Sequence, residues 1–199
     1  MAARNSPLPL RRLSLTRKLI HLAVAIVPAA GWWLSYEVAL ALAAALFVAS
    51  AAVDLARRGW PGLNHLLWYL LPTTFRAWEG EGVFGSTWLG LGLLASLLLF
   101  GRDAGGTAAL FLIWGDPAAE LVGRTFGPPD RPKTLAGSLG CLAACLLAAL
   151  VGVHLGHLAL LPALAGALVA TLVERWSPPP DDNVWIPLLG GLSIVVAGS

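Results

Sequence analysis

Seven apolar runs divide this chain, at 18–35, 38–56, 84–101, 105–122, 137–154, 157–174 and 184–198. A helix needs roughly 20 apolar residues to cross a bilayer, and lipid offers the backbone of a spanning segment no partner but itself. The runs therefore predict an all-α, polytopic integral membrane helical bundle of about seven transmembrane helices. Composition agrees: 12% of the residues are charged, against about 25% in a soluble domain. The length suits one membrane domain, 1–199, and leaves no room for a sizeable soluble one. A net charge of +2 gives no electrostatic case for nucleic acid.

The basic stretch "RRLSLTRK" before "LIHLAVAIVPAAGWW" has the outline of a signal peptide. With a histidine in the run and further spans behind it, it reads as a first membrane helix that is not cleaved. The segment Leu63 to Leu71 is too short to span. It reads as interfacial or re-entrant, with Trp60, Trp68 and Tyr69 at headgroup depth.

Seven spans place four connections on the side of the N-terminus. They carry twelve of the thirteen Lys and Arg residues: Arg4, Arg11, Arg12, Arg17 and Lys18; Arg57, Arg58 and Arg76; Arg124, Arg131 and Lys133; and Arg175. Only Arg102 falls on the other side. The positive-inside bias puts the N-terminus in the cytoplasm. Cys141 and Cys145, four apart in an apolar run, read as packing residues, and His65, His154 and His157 as structural.

The acids gather at that same cytoplasmic face. Asp54 ends the second span, Asp116 and Glu120 lie in the last turns of the fourth, and Glu174 ends the sixth, followed by Asp181 and Asp182. Lys18, Arg76, Arg124 and Lys133 share the level, and His21 lies one turn deeper, three residues after Lys18. Acids at span ends are expensive in a membrane and mark function. Mg²⁺ is bound by one or two carboxylates plus substrate phosphates, and Arg and Lys neutralise phosphate oxygens.

The stretch "GDPAAELVGRTFGPPDRPKTLAGS" carries all these elements. Asp116, Glu120 and Arg124 fall on one helical stripe. Gly123 and Gly127 permit a tight turn, Lys133 and Thr134 offer a cation and a hydroxyl, and Gly137 and Ser138 open the next helix with free N–H groups. It reads as a nucleotide-phosphate and metal site. The alternative is an ion-paired helix end, and the other stretches carry similar alternatives. Lys18 and His21 also suit a snorkelling anchor with a core histidine. Arg76, Glu79 and Glu81 also suit a solvated loop. Asp181, Asp182 and Asn183 also suit a helix cap.

Together these residues resemble the CTP-dependent lipid-alcohol kinases: dolichol kinase, phytol kinase and the yeast-type diacylglycerol kinase. The resemblance covers nearly the whole chain and rests on four elements. The first is Arg17, Lys18 and His21. The second is Arg76 and Glu79 before Gly85, Ser86 and Thr87. The third is Asp116 and Ala119, then Gly123, Arg124, Gly127, Lys133, Thr134, Gly137 and Ser138. The fourth is Asp181, Asp182 and Asn183 before Ile186 and Pro187. It departs at Pro132 and Ala136, where many members carry a second lysine and a glutamate.

The resemblance implies one kinase-like transmembrane domain in the cytoplasmic membrane of a prokaryote, its active site facing the cytoplasm. It implies transfer of a phosphoryl group from CTP to a polyprenol, phytol, geranylgeraniol or diacylglycerol. Mg²⁺ is the implied cofactor, on Asp116 and Glu120. The implied catalytic set is Asp116, Lys133, Asp181, Asp182 and His21. Gly123, Arg124, Gly127, Lys133, Thr134, Gly137, Ser138, Lys18 and Arg76 are implied to hold nucleotide; Asp54, Glu79, Glu174 and Asn183 complete the polar face. Lipid alcohol, nucleoside triphosphate and membrane lipids are the expected partners. Two rival readings are a membrane cytidylyltransferase, which shares parts of this architecture, and a small transporter. Transport predicts ionisable groups near mid-membrane, and here they cluster at one face.

Overall fold

A computed structural model describes residues 15–71, 74–75, 77–80, 82–128, 130–176 and 178–199. Among them every regular element is helical: α1 (Leu15–Ala23), α2 (Ile26–Trp33), α3 (Tyr36–Gly59), α4 (Pro61–Leu70), α5 (Gly85–Phe100), α6 (Gly106–Phe126), α7 (Leu135–Leu155), α8 (Leu160–Trp176) and α9 (Asp182–Gly198). A 3₁₀ turn, Ala77–Gly80, precedes α5, and a π segment, Gly101–Gly105, joins α5 to α6.

Among the described residues, three helical runs are long and apolar enough to cross a membrane: Tyr36–Gly59, Gly85–Phe126 and Leu135–Leu155. The middle one is not a single rod. Gly101 takes φ +74°, a left-handed conformation that glycine adopts without the steric cost of a Cβ. The chain reverses there, so that Ser96 Oγ comes within 3.4 Å of the Gly105 carbonyl. In a straight helix these residues would stand about 13 Å apart. The expected pair 84–101 and 105–122 is thus a helical hairpin without an extended loop. α8 and α9, of 17 residues each, lie at the short end of spanning lengths.

The expected first span, 18–35, is two short helices instead. Pro28 has no N–H to give the Val24 carbonyl. The ladder breaks at Val24 and Ala25, and Val27 N bonds Val24 O at 2.9 Å in its place. α3 then starts on Ser35, whose hydroxyl accepts from Val38 N, and stops at Trp60 because Pro61 opens the next helix. α4 buries none of its residues, in keeping with a surface segment.

The core is built on α6. Phe111, Leu112 and Ile113 are fully buried, with Leu93 of α5, Cys141 and Cys145 of α7, and Ile186 of α9 around them. α6 packs chiefly on α7, α8 on α9, and α5 on α3 and α9. Small residues make these approaches possible, as in membrane bundles generally. A Cβ on Gly92 of α5 would collide with the Asn183 carbonyl of α9, so this glycine lets the first turn of α9 seat against α5. α3 is peripheral: only 17% of its most apolar window is buried, against 67% for the α5–α6 run.

Candidate functional site

The polar ends of the helices meet at one end of the bundle, through a series of contacts that runs from α1 to α3. Lys18 of α1 reaches Glu120 of α6. Gly123 of α6 abuts Thr134, the cap of α7. Arg175 of α8 donates to Ser138 of α7 at 3.1 Å. Lys133 ties α8 to α9, Asn183 ties α9 to α5, and Asp54 ties α3 to the residue before α5. Arg76, expected at this face, lies outside the described residues.

One cluster is rich in acid. Lys133 Nζ donates to Glu174 Oε1 at 2.5 Å and to Asp182 Oδ2 at 3.2 Å, and both acids are buried. Burial alone would push the Lys133 ammonium down; the charges of Asp182, Glu174 and Asp116 outweigh it and hold its pKa above the usual lysine value. Asp116 is 7% exposed and makes no hydrogen bond or ion pair among the described residues. Three carboxylates therefore share one cation. Three buried carboxylates on one ammonium leave an excess of negative charge that is expensive to bury, and a further cation is the natural complement.

The second cluster is rich in base and lies one turn along α6. Glu120 Oε2 takes Lys18 Nζ at 2.9 Å and Arg17 Nη2 at 3.1 Å, and its other oxygen takes Arg124. Lys18 also donates to the Pro117 carbonyl at 3.4 Å. Three cations share one carboxylate, an arrangement that suits an anion. Asp116 and Glu120 share a helix stripe, as expected from their spacing, yet they serve opposite fields.

The phosphate-loop expectation changes in detail. Gly123 and Arg124 belong to the last turns of α6, not to a turn, and Gly127 is its C-cap. Thr134 caps α7, its Oγ1 accepting from Gly137 N at 3.0 Å. Gly123, Gly127 and Gly137 all stand against Thr134, which lets the helix ends close. Asp181 Oδ1 caps α9 by accepting from Asn183 N at 3.0 Å. Asn183 Nδ2 donates to the Gly85 carbonyl at 3.2 Å, and Gly85 N donates to Glu79 Oε1 at 3.2 Å. His21 is buried and lines a cavity with Glu79 and Asn183.

Arg57 plays a part that sequence reasoning missed, having counted it only toward topology. It is 3% exposed. Its Nε donates to Asp54 Oδ1 at 2.7 Å, and its Nη groups reach Asn64 Oδ1 and the carbonyls of Gly80 and Gly82. The guanidinium stacks 3.7 Å over the Phe84 ring, and Asp54 Oδ2 accepts from Phe84 N at 3.2 Å. The pair clamps the segment that carries Glu79 to the start of α5. The Asp-x-x-Arg spacing within α3 was the available signal.

Comparison with known proteins follows this geometry. The chain is 30% identical to a phytol kinase from Synechocystis sp. over 206 residues, covering 96% of this chain and 84% of that protein. It is 30% identical over 176 residues to CTP-dependent diacylglycerol kinase 1 of Eremothecium gossypii and 28% identical over 176 residues to that of Saccharomyces cerevisiae. Both alignments cover 73% of this chain, but only 54% and 59% of those proteins. The chain thus spans little more than half the length of the two diacylglycerol kinases. No family model and no solved structure matches it.

Proposed function

The chain belongs to the family of CTP-dependent lipid kinases that includes phytol kinase and diacylglycerol kinase, and on that premise we propose that it transfers the γ-phosphoryl group of CTP to the hydroxyl of a membrane lipid alcohol. The observation that carries this reading is the pair of oppositely charged clusters one helical turn apart on α6. One suits a metal, the other a polyphosphate. We further propose seven spans, a cytoplasmic N-terminus and a site facing the cytoplasm of a prokaryote, in keeping with the basic residues on that side.

In this reading the triphosphate lies against Arg17, Lys18 and Arg124, whose charge Glu120 offsets only in part. The alcohol oxygen attacks the γ-phosphorus, the bond to the β–γ bridging oxygen breaks, and CDP leaves. The hydroxyl proton passes to a base at this end of the bundle, His21 or Asp182. Positioning and charge neutralisation carry most of the catalysis in phosphoryl transfer.

Magnesium fits the acid-rich cluster through Asp116, a buried carboxylate with no hydrogen bond or ion pair among the described residues. Mg²⁺ typically takes one or two protein carboxylates together with substrate phosphates, so no larger acidic cage is required. Bound there with the nucleotide, it would supply charge neutralisation on the phosphate oxygens. Glu120, already shared by three cations, is better suited to set the field of the phosphate subsite.

The test uses purified protein in detergent with Mg²⁺, a panel of lipid alcohols and lipid phosphates, and CTP labelled at the γ- or the α-phosphate. Transfer of γ label to an alcohol is expected. Transfer of α label to a lipid phosphate would instead make the protein a cytidylyltransferase.

A further inference from the structure

A cavity of about 60 Å³ lies at the polar end of the bundle, between α1, the start of α5 and the first turn of α9. Its walls are mostly apolar, with Ile20, Phe75, Phe84 and Leu89 among them, and its polar lining includes Thr74 and Asn183. The Asn183 amide nitrogen is committed to the Gly85 carbonyl. That orientation leaves Asn183 Oδ1 as an acceptor, and it is buried with no hydrogen-bond partner among the described residues. Thr74 Oγ1 is buried and unsatisfied in the same way. Two orphaned polar atoms beside one cavity call for an occupant, because burial without a partner costs free energy.

The surroundings select the chemistry of that occupant. Ile20, 43% exposed, lines the cavity and belongs to an outer face with Leu19, Leu22 and Ile26, all exposed. In a bilayer that face meets lipid. The cavity thus connects apolar surroundings to a floor that can accept one hydroxyl proton and donate one in return. Its mostly apolar walls suit the hydroxyl end of a lipid and not a polyphosphate. It also adjoins both charged clusters. Arg17 lines it and pairs with Glu120, and Asn183 follows Asp182, the partner of Lys133.

We propose that this cavity is the acceptor subsite, holding the hydroxyl end of the lipid alcohol between Asn183 Oδ1 and Thr74 Oγ1. The inference rests on the kinase reading for its catalytic meaning. In it Thr74 Oγ–H donates to the alcohol oxygen and Asn183 Oδ1 accepts the alcohol's O–H in the resting complex; as transfer begins, that O–H turns from Asn183 to the base of the kinase reading, His21 or Asp182, which takes the proton. Asn183 and Thr74 orient the hydroxyl; neither takes its proton.

Two measurements on the full chain in detergent test this. The first labels wild-type protein with hexadecanol carrying a photoreactive diazirine three carbons from its hydroxyl, and maps the adducts by peptide mass spectrometry. Adducts in residues 17–21 or 74–89, suppressed by excess unlabelled alcohol, are expected. Adducts confined elsewhere overturn the assignment even if the protein is an active kinase. Labelling at these residues without phosphoryl transfer keeps the alcohol site and removes the kinase reading. The second measures steady-state kinetics of Thr74→Val and Asn183→Leu. Each should raise KM for the alcohol about tenfold with KM for CTP unchanged, and Thr74→Ser should restore the wild-type value. Should Asn183→Leu fail to fold, Thr74→Val and the labelling decide. Equal changes in both KM values, or none, would show that water alone fills the cavity.

Discussion

The acid-rich and base-rich clusters share α6 and a level in the bundle, yet their charge balances are inverted. Around Lys133 three carboxylates face one ammonium. Around Glu120 three cations face one carboxylate. An isolated imbalance at the end of an apolar bundle is a cost, because the low-dielectric surroundings magnify repulsion. Two opposite imbalances a turn apart suit a ligand that carries both signs, such as a metal-bound polyphosphate. Asp116 and Glu120 are both helix-end acids in sequence, but among the described residues one has no ion pair and the other has three. The difference separates an acid available to a ligand from one that shapes a field.

The comparison breaks most sharply at Asp116. Asp116→Asn should lower kcat/KM about 10²–10³-fold while the melting temperature holds or rises, since Asp116 makes no hydrogen bond or ion pair among the described residues and its neutralisation relieves the excess of acid around Lys133. A variant that keeps full turnover would remove Asp116 from the site. Lys133→Met should also suppress transfer, but with a stability loss of about 3–5 kcal/mol, because Glu174 and Asp182, both buried, lose the ammonium they share. Adding Glu174→Gln should recover part of the stability and none of the activity; recovery of both would make Lys133 merely structural.

Glu120→Gln is the sharpening case. It should leave kcat/KM within about tenfold and lower KM for CTP, because three cations then face the phosphates with less competition. A loss as deep as that of Asp116→Asn would put Glu120 among the metal ligands after all. The smallest effect concerns pH. The raised pKa of Lys133 means that its stabilisation is complete below the unfolded value of about 10.4 and is lost as pH climbs through the higher folded value. The difference in melting temperature between wild type and Lys133→Met should therefore hold up to about pH 10 and shrink above it. A difference that vanishes by pH 9 would contradict the pairing.

Much of this was legible in order along the chain. Apolar runs marked the core helices, and the polar residues at their ends are those that the bundle gathers at one end. The errors came from local rules overridden by packing. Pro28 signalled a break that a hydropathy reading passes over. Gly123 and Gly127 looked like turn formers, yet Gly123 stays helical because its bare face meets Thr134 and Gly137 of the next helix. Arg57 looked like a topology marker, and its burial against Phe84 and the carbonyls of Gly80 and Gly82 depends on α3 lying beside them.

The sequence by itself determined that the chain is helical and apolar, that its charges gather at helix ends, and which residue types are present there. Those properties follow from periodicity, span length and the cost of charge in lipid, which act within a turn or a segment. Only the tertiary structure decided the partnerships: Lys18 with Glu120, 102 residues away; Lys133 with Glu174 and Asp182, 41 and 49 residues away; and Asn183 with Gly85, 98 residues away. A charge takes whichever opposite charge packing brings within a few ångströms, and that distance is set by how α5, α6, α8 and α9 fit together, not by their spacing along the chain.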